Sequence, residues 1–114
     1  MVVADTRKAL IFYCEVLGLS ECHDRPDLSF AGAWLQIGSQ QIHLLEVDNP
    51  DPVKARPQHG GCDRHLAVSV DNLTDIEARL VSHNIFFTRS RSGRAAIFCR
   101  DPDGNGIELI KTKA

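Results

Sequence analysis

A short phrase that occurs twice constrains the fold of this chain of 114 residues more than any other feature. Residues 42–45 read Ile-His-Leu-Leu and residues 107–110 read Ile-Glu-Leu-Ile, so that His43 and Glu108 occupy the matching position. Two further pairs of segments repeat at similar spacing: 3–6 with 70–73, and 33–35 with 96–98. A repeat of about half the chain indicates two similar units, neither of which is large enough to bury a good core alone.

Each half shows the same predicted order of elements, a strand, a helix and three strands. Asp5 and Asn72 are suited to cap the two helices, and the second helix carries an apolar stripe of Leu73, Ile76, Leu80 and Val81. The predicted helices are 6–17 and 73–84, and the predicted strands are 1–4, 20–24, 30–37, 41–47, 64–70, 85–90, 95–100 and 106–111. We therefore predict an α+β fold in which two βαβββ repeats, each a curved sheet with a helix on one face, form a shared cup.

The halves are separated by residues 48–63, which contain three prolines and two glycines and show little periodicity. This segment is predicted to be a linker. The chain is predicted to be a single domain, 1–114, with the first repeat at 1–47 and the second at 64–114.

Composition excludes several classes of protein. A net charge of −2 gives no electrostatic basis for binding nucleic acid or an anionic membrane. No apolar run approaches the ~18 residues of a membrane span, and the N-terminus does not resemble a signal peptide. Four cysteines without C-x-x-C spacing are typical of reduced thiols, so we expect a cytoplasmic protein that binds a small molecule.

Three side chains are candidate metal ligands. Alternation along a strand places His65 on the face away from the predicted helix, and the same holds for His43 and Glu108. A buried carboxylate is costly unless it is paired or coordinates a metal. Two histidines and one carboxylate suit Fe(II), Mn, Ni or Zn with positions left open for substrate. Taken singly, a histidine on a strand is more often a structural residue than a ligand, and Glu108 is equally consistent with a solvated side chain on an exposed edge strand.

The repeat also predicts where a fourth ligand belongs. At the offset of 67 residues, the counterpart of His65 in the first unit falls at position −2, before Met1. Either that ligand lies upstream in the full protein or the site has three ligands. The sequence leaves both alternatives open.

Three further residues are candidates for contacting the substrate. On the strand 30–37, Trp34 and Gln36 are predicted to point toward the cup, where Trp34 would form a pocket wall or pack in the core. Arg94 belongs to a group of arginines near the second hairpin. It would hold an anionic substrate or lie on a solvated charged edge.

These motifs resemble the vicinal oxygen chelate superfamily, which includes glyoxalase I, bleomycin-resistance proteins, fosfomycin-resistance enzymes and extradiol dioxygenases. The resemblance lies in Val-Ala-Asp at 3–5, Phe-Tyr at 12–13, Val-Leu-Gly-Leu at 16–19, Asp-Pro-Asp-Gly-Asn at 101–105 and Ile-Glu-Leu at 107–109. It implies a paired βαβββ fold with a divalent metal in the cup, often completed in a homodimer. By position, Glu108 matches the last carboxylate ligand of the family, and His65 the histidine that opens its second unit.

Two departures separate the chain from glyoxalase I. His43 stands where glyoxalase I has a glutamate, and the first-strand ligand of the family has no counterpart. The leading hypothesis is a metal-dependent lyase or isomerase of the glyoxalase type, with Glu108 as the proton-transferring base. The alternatives are an Fe(II) dioxygenase of the extradiol type and a metal-free protein that binds a drug-like small molecule.

Overall fold

The computed structural model describes residues 1–112 as two sets of strands, each accompanied by a helix. The first set is β1 (Val2–Val3), α1 (Thr6–Leu10), a π-helical continuation (Ile11–Val16), β2 (Ser20–Cys22), β3 (Ala31–Ile37) and β4 (Gln40–Glu46). The second is a short 3-10 helix (Gly60–Cys62), β5 (His65–Val70), α2 (Leu73–Ser82), β6 (Phe87–Arg89), β7 (Ala96–Arg100) and β8 (Gly106–Lys111). The chain forms two compact units that meet in sequence between Pro52 and Val53.

Both units have the same strand topology. The first sheet has the order β1-β4-β3-β2 and the second has the order β5-β8-β7-β6. In each, the first strand is parallel to the last, and the other neighbours are antiparallel. Val2 pairs with Leu45, and Ser69 pairs with Ile110, so the strand register agrees with the matches of 3–6 to 70–73 and of 42–45 to 107–110. The match of 33–35 to 96–98 was wrong by one residue, because Trp34 lies opposite His43 and Phe98 lies opposite Glu108. The predicted α+β fold of two βαβββ repeats is confirmed.

The core of the first unit lies between its helix and its sheet. The Asp5 side chain caps α1 by accepting a hydrogen bond from the Lys8 N–H at 3.1 Å. The helix predicted over 6–17 then continues in π-helical form, with the Leu17 N–H bonded to the Phe12 carbonyl at 3.0 Å. The buried side chains on this helix and the strands facing it are Ala9, Phe12, Tyr13, Val16, Ala33, Leu35, Ile42 and Leu44.

The second unit is built in the same way. Asn72 caps α2 through the Asp75 N–H at 3.1 Å. Its core includes Leu73, Ile76 and Leu80 from the helix, and Ile97, Cys99, Ile107 and Leu109 from the strands. Val81, which the apolar stripe was expected to include, is 65% exposed because it lies one residue, or about 100° of helix rotation, beyond Leu80.

Neither of these helices, nor any other helix within residues 1–112, is long and apolar enough to cross a membrane.

Candidate functional site

Glu108 is the most buried charged side chain of β8, with 4% of its surface exposed. Its Oε1 atom lies 3.0 Å from His65 Nε2, and its Oε2 atom accepts a hydrogen bond from an Arg94 guanidinium N–H at 3.0 Å. Both oxygens of the carboxylate are therefore engaged. The Arg94 guanidinium supplies positive charge beside the buried carboxylate, and the His65 ring lies against its other oxygen.

Strand pairing places His65 beside Glu108. In the parallel pair β5 and β8, His65 is opposite Gly106, and Glu108 is one pleat further along the same face. A Cβ atom at Gly106 would lie 2.9 Å from the Arg64 carbonyl oxygen and 3.1 Å from His65 Cβ. Gly106 therefore allows the two strands to approach closely where the site begins.

The imidazole of His65 is held in a defined orientation. Its Nδ1 atom is 2.8 Å from the backbone carbonyl oxygen of Asp63. A carbonyl only accepts, so Nδ1 carries the hydrogen, and the ring edge with Nε2 faces the Glu108 carboxylate. The ring also meets the Phe98 ring edge-to-face, with centroids 5.0 Å apart. When the imidazole is neutral, two acceptor atoms face each other, an arrangement that is stable only with a proton or a cation between them.

Asp63 is itself fixed by a cluster of positive charge. Its carboxylate accepts hydrogen bonds from Arg56 Nε at 2.9 Å and from Arg56 Nη2 at 2.8 Å. It accepts two further bonds at 2.8 Å, from Arg100 and from the Arg64 N–H. The hydrogen bonds from Arg56, followed by those from Arg100 and the Arg64 backbone, hold the pKa of Asp63 well below its ordinary value. Sequence reasoning missed this cluster, because no periodicity connects Asp63 with Arg100.

His65, Glu108 and Arg94 line a cavity of about 350 Å³ within the second unit. Its walls include the side chains of His59, Cys62, His65, Arg91, Arg94, Phe98 and Glu108. His59 lies in the segment predicted to be a linker, yet it is half-buried and uses both ring nitrogens. Nδ1 accepts from the Gly61 N–H at 3.0 Å, and Nε2 donates to the Arg89 carbonyl at 3.0 Å. His59 is therefore a structural residue of the cavity wall.

The other predicted site residues lie in the first unit. His43 is on β4 between the buried side chains of Ile42 and Leu44, so it points away from α1 as alternation predicted. Its ring stacks on Trp34, its neighbour on β3, with centroids 4.1 Å apart and planes within 4°. Its Nε2 atom is 3.0 Å from Gln41 Oε1. Gln36, also on β3, donates a hydrogen bond to the Gly38 carbonyl at 2.7 Å.

The two units thus contain the predicted residues in separate groups. His65, Glu108 and Arg94 are in contact in the second unit, whereas His43, Trp34 and Gln36 share one face of the first sheet. Within residues 1–112, no group of three or more His, Cys, Asp or Glu side chains is gathered as a metal site. The three-ligand set therefore stays a prediction, based on the pair that does meet and on the matching position of His43.

Comparison with known proteins identifies the family. The model of the Glyoxalase/Bleomycin resistance protein/Dioxygenase superfamily matches residues 1–109, and the chain belongs to this superfamily. It is 32% identical over 118 residues to the uncharacterised protein YaeR of Escherichia coli K12, covering 97% of this chain and 91% of YaeR. It is 29% identical over 119 residues to a lactoylglutathione lyase of Salmonella typhimurium, covering 97% of this chain and 87% of the lyase.

A solved structure supports the fold. A variant of FosX, the genomically encoded fosfomycin resistance protein of Listeria monocytogenes, superposes with a TM-score of 0.76 over 99% of this chain and 88% of FosX. That protein is bound to Mn(II) and 1S,2S-dihydroxypropylphosphonic acid. The sequence identity is 16%, so the likeness shows the fold alone.

Proposed function

We propose that this protein is a divalent-metal-dependent enzyme of the glyoxalase type, a lyase or isomerase acting on a small substrate with two neighbouring oxygens. The observation that carries the proposal is the pair formed by His65 Nε2 and Glu108 Oε1, which are 3.0 Å apart and line a cavity. The named activity of the Salmonella relative supports the class of reaction.

The donor set fits a divalent cation. Two bonds of about 2.1 Å that meet at about 90° place their donor atoms about 3.0 Å apart, the separation found between His65 and Glu108. The Asp63 carbonyl on Nδ1 of His65 is the kind of partner that orients metal-binding histidines. We propose His43 as the third ligand, from the same chain or from a second copy in a homodimer. Nickel, zinc, manganese and Fe(II) are all compatible with this set.

The protein groups have separate tasks in this proposal. When bound, the metal supplies Lewis-acid polarisation of two neighbouring substrate oxygens. Glu108 takes a proton from the carbon that bears one of these oxygens and returns it to the neighbouring carbon. The Asp63 carbonyl keeps the His65 ring in one orientation. Trp34, Gln36 and Arg94 are proposed to contact the substrate, with Arg94 bordering the cavity beside Glu108.

A second candidate is an Fe(II) dioxygenase, which two histidines and one carboxylate favour as a ligand set. The two reactions differ in the metal that supports them and in whether dioxygen is consumed. We expect turnover of the methylglyoxal–glutathione adduct with Ni²⁺ or Zn²⁺ and no oxygen uptake with catechol under Fe(II). Oxygen uptake with catechol and no turnover of the adduct would favour the dioxygenase.

The third hypothesis, a metal-free binding protein, predicts different experimental results. It requires no metal uptake by protein purified without chelator, together with binding of an aromatic drug that His65→Ala leaves unchanged. The homodimer is tested by light scattering coupled to size-exclusion chromatography, where we expect about twice the mass of one chain.

A further inference from the structure

Arg94 makes the ion pair that any metal at Glu108 must disturb. We propose that Arg94 is exchanged between Glu108 and a small oxyanion in the same cavity, so that the metal and the anion bind cooperatively. The inference rests on the proposed metal site. It adds a class of ligand, namely a small molecule with a carboxylate, sulfonate or phosphonate group. It also proposes that Arg94 binds this group.

Each oxygen of the Glu108 carboxylate has its own partner. His65 Nε2 faces Oε1, and Arg94 binds Oε2, each at 3.0 Å. The carboxylate side chain is 5% exposed, whereas the Arg94 side chain is 58% exposed. Without a metal, the buried carboxylate needs the guanidinium, because an unpaired buried charge is strongly unfavourable.

A divalent cation at Oε1 removes that need. It supplies more positive charge to the carboxylate than Arg94 does, and it repels the guanidinium at short range. Since more than half of the Arg94 side chain already lies in solvent, the guanidinium loses only a solvent-screened ion pair when it leaves Glu108. The released guanidinium keeps its position at the cavity rim, where it can bind an anion through two parallel hydrogen bonds.

The turn that carries Arg94 provides further donors. Ser92 Oγ lies 2.7 Å from Ser90 Oγ and accepts from Arg94 Nε at 3.3 Å. Ser90, Ser92 and Arg91 line the same cavity as Arg94. Arg91, which makes no hydrogen bond or ion pair with another described residue, brings a second guanidinium to the border of the cavity. Hydroxyls and guanidinium groups around one opening suit an oxyanion.

The coupling must act in both directions. If the metal frees Arg94 for the anion, the anion must raise the affinity for the metal by the same factor. This reciprocity distinguishes exchange from a fixed supporting role. A guanidinium that only orients Glu108 as a ligand would strengthen metal binding, and its removal would weaken it by about 10–100-fold.

The experiment is a calorimetric titration of the metal-depleted full chain with Ni²⁺. It is done in chloride and in sulfate at equal ionic strength, with free Ni²⁺ corrected for sulfate complexes. The variants are Arg94→Gln and, as a matched control, Arg89→Gln. Arg89 is on the same hairpin but pairs with Glu77 and does not line the cavity.

We expect sulfate to lower the Kd of the wild type for Ni²⁺ by about fivefold or more, within the usual range of coupling between two sites. Arg94→Gln should bind Ni²⁺ more tightly than the wild type in chloride and lose the sulfate effect, whereas Arg89→Gln should keep it. Weaker Ni²⁺ binding by Arg94→Gln, or an unchanged sulfate effect, overturns the exchange while leaving the metal site intact. Absence of Ni²⁺ binding in every variant and buffer overturns the proposed function itself.

Discussion

The Nδ1 atom of His65 donates a hydrogen bond to the backbone carbonyl of Asp63 at 2.8 Å. The conformation of one backbone carbonyl thus decides which imidazole nitrogen faces Glu108. Because the Asp63 side chain is held by Arg56 and Arg100, the ion cluster and the candidate metal site form one connected structure.

We predict that Asp63→Asn weakens Ni²⁺ binding by about 10–100-fold, although Asp63 is not proposed as a ligand. The substitution removes the charge that holds Arg56 and Arg100 and frees the carbonyl that orients His65. Calorimetric titration with Ni²⁺ measures the effect. Asp71→Asn, an exposed substitution of the same type, is the control. Wild-type affinity in Asp63→Asn would disconnect the ion cluster from the site.

Protonation of Asp63 at low pH should lower the free energy of unfolding. The pKa of Asp63 is depressed in the folded state, so the unfolded state binds more protons. The stabilising contribution is complete above the ordinary carboxyl pKa of about 3.9 and is lost as the pH falls toward the folded value. Urea denaturation between pH 5 and pH 2 should show a shallower loss of unfolding free energy for Asp63→Asn than for the wild type. Parallel curves would contradict this.

Gly106→Ala should destabilise the second unit by about 1–3 kcal/mol. Its new methyl group would press on the Arg64 carbonyl oxygen and on His65 Cβ, separating β5 from β8. Gly93→Ala is a useful comparison, because its Cβ meets nothing within 4 Å and it carries only the strain of a φ of +84°. Thermal unfolding compares the two variants. Only Gly106→Ala is expected to lower Ni²⁺ affinity as well.

Two adjacent residues of α2 test the position of the core. Leu80 is fully buried, so Leu80→Ala should cost about 2–5 kcal/mol. Val81 is 65% exposed, and Val81→Ala should stay within about 0.5 kcal/mol of the wild type. Equal effects in chemical denaturation would mean that the helix faces the sheet in a different rotation.

Thiol labelling should distinguish Cys62 from Cys99, the two cysteines of the second unit. Burial raises the pKa of the Cys99 thiol to about 12, whereas Cys62 is exposed at the cavity wall. Because the thiolate is the reactive form, iodoacetamide at pH 8 should label Cys62 in the folded protein and leave Cys99 unmodified. Mass spectrometry of the labelled peptides measures this. Labelling of Cys99 at a comparable rate would contradict the packing of β7.

The sequence predicted the fold through its repeats. The match of 42–45 with 107–110 agrees with the strand register, because alternation along paired strands fixes which residues correspond. The match of 33–35 with 96–98 was one residue out, since sequence similarity over three small or apolar residues does not define the register. The π-helical continuation after Leu10 was not predicted, because the spacing of its apolar residues also fits an α-helix. Likewise, the shorter β6 differs from the predicted strand 85–90 only at its ends.

The site was predictable only in part. Alternation placed His65 and Glu108 on one face, and the structure brings them into contact. The partners that fix them were not predictable: Arg100 meets Asp63 across 37 residues of sequence, and no local pattern encodes such a pairing. Arg94, weighed as either a substrate contact or a solvated edge, donates a hydrogen bond to Glu108, a partner that the sequence did not reveal, and its contact with substrate stays a prediction. The metal role of His43 stays a prediction.

The central claim is that His65, Glu108 and His43 bind one divalent metal, and the most direct measurement is Ni²⁺ binding by the chelator-treated chain. We predict about one Ni²⁺ per chain for the wild type and for the control His83→Ala, since His83 is exposed at the C-terminal end of α2. His65→Ala and Glu108→Gln should abolish binding, and His43→Ala should weaken it at least tenfold. No saturable binding by the wild type, or wild-type affinity in His65→Ala and Glu108→Gln, would contradict the account.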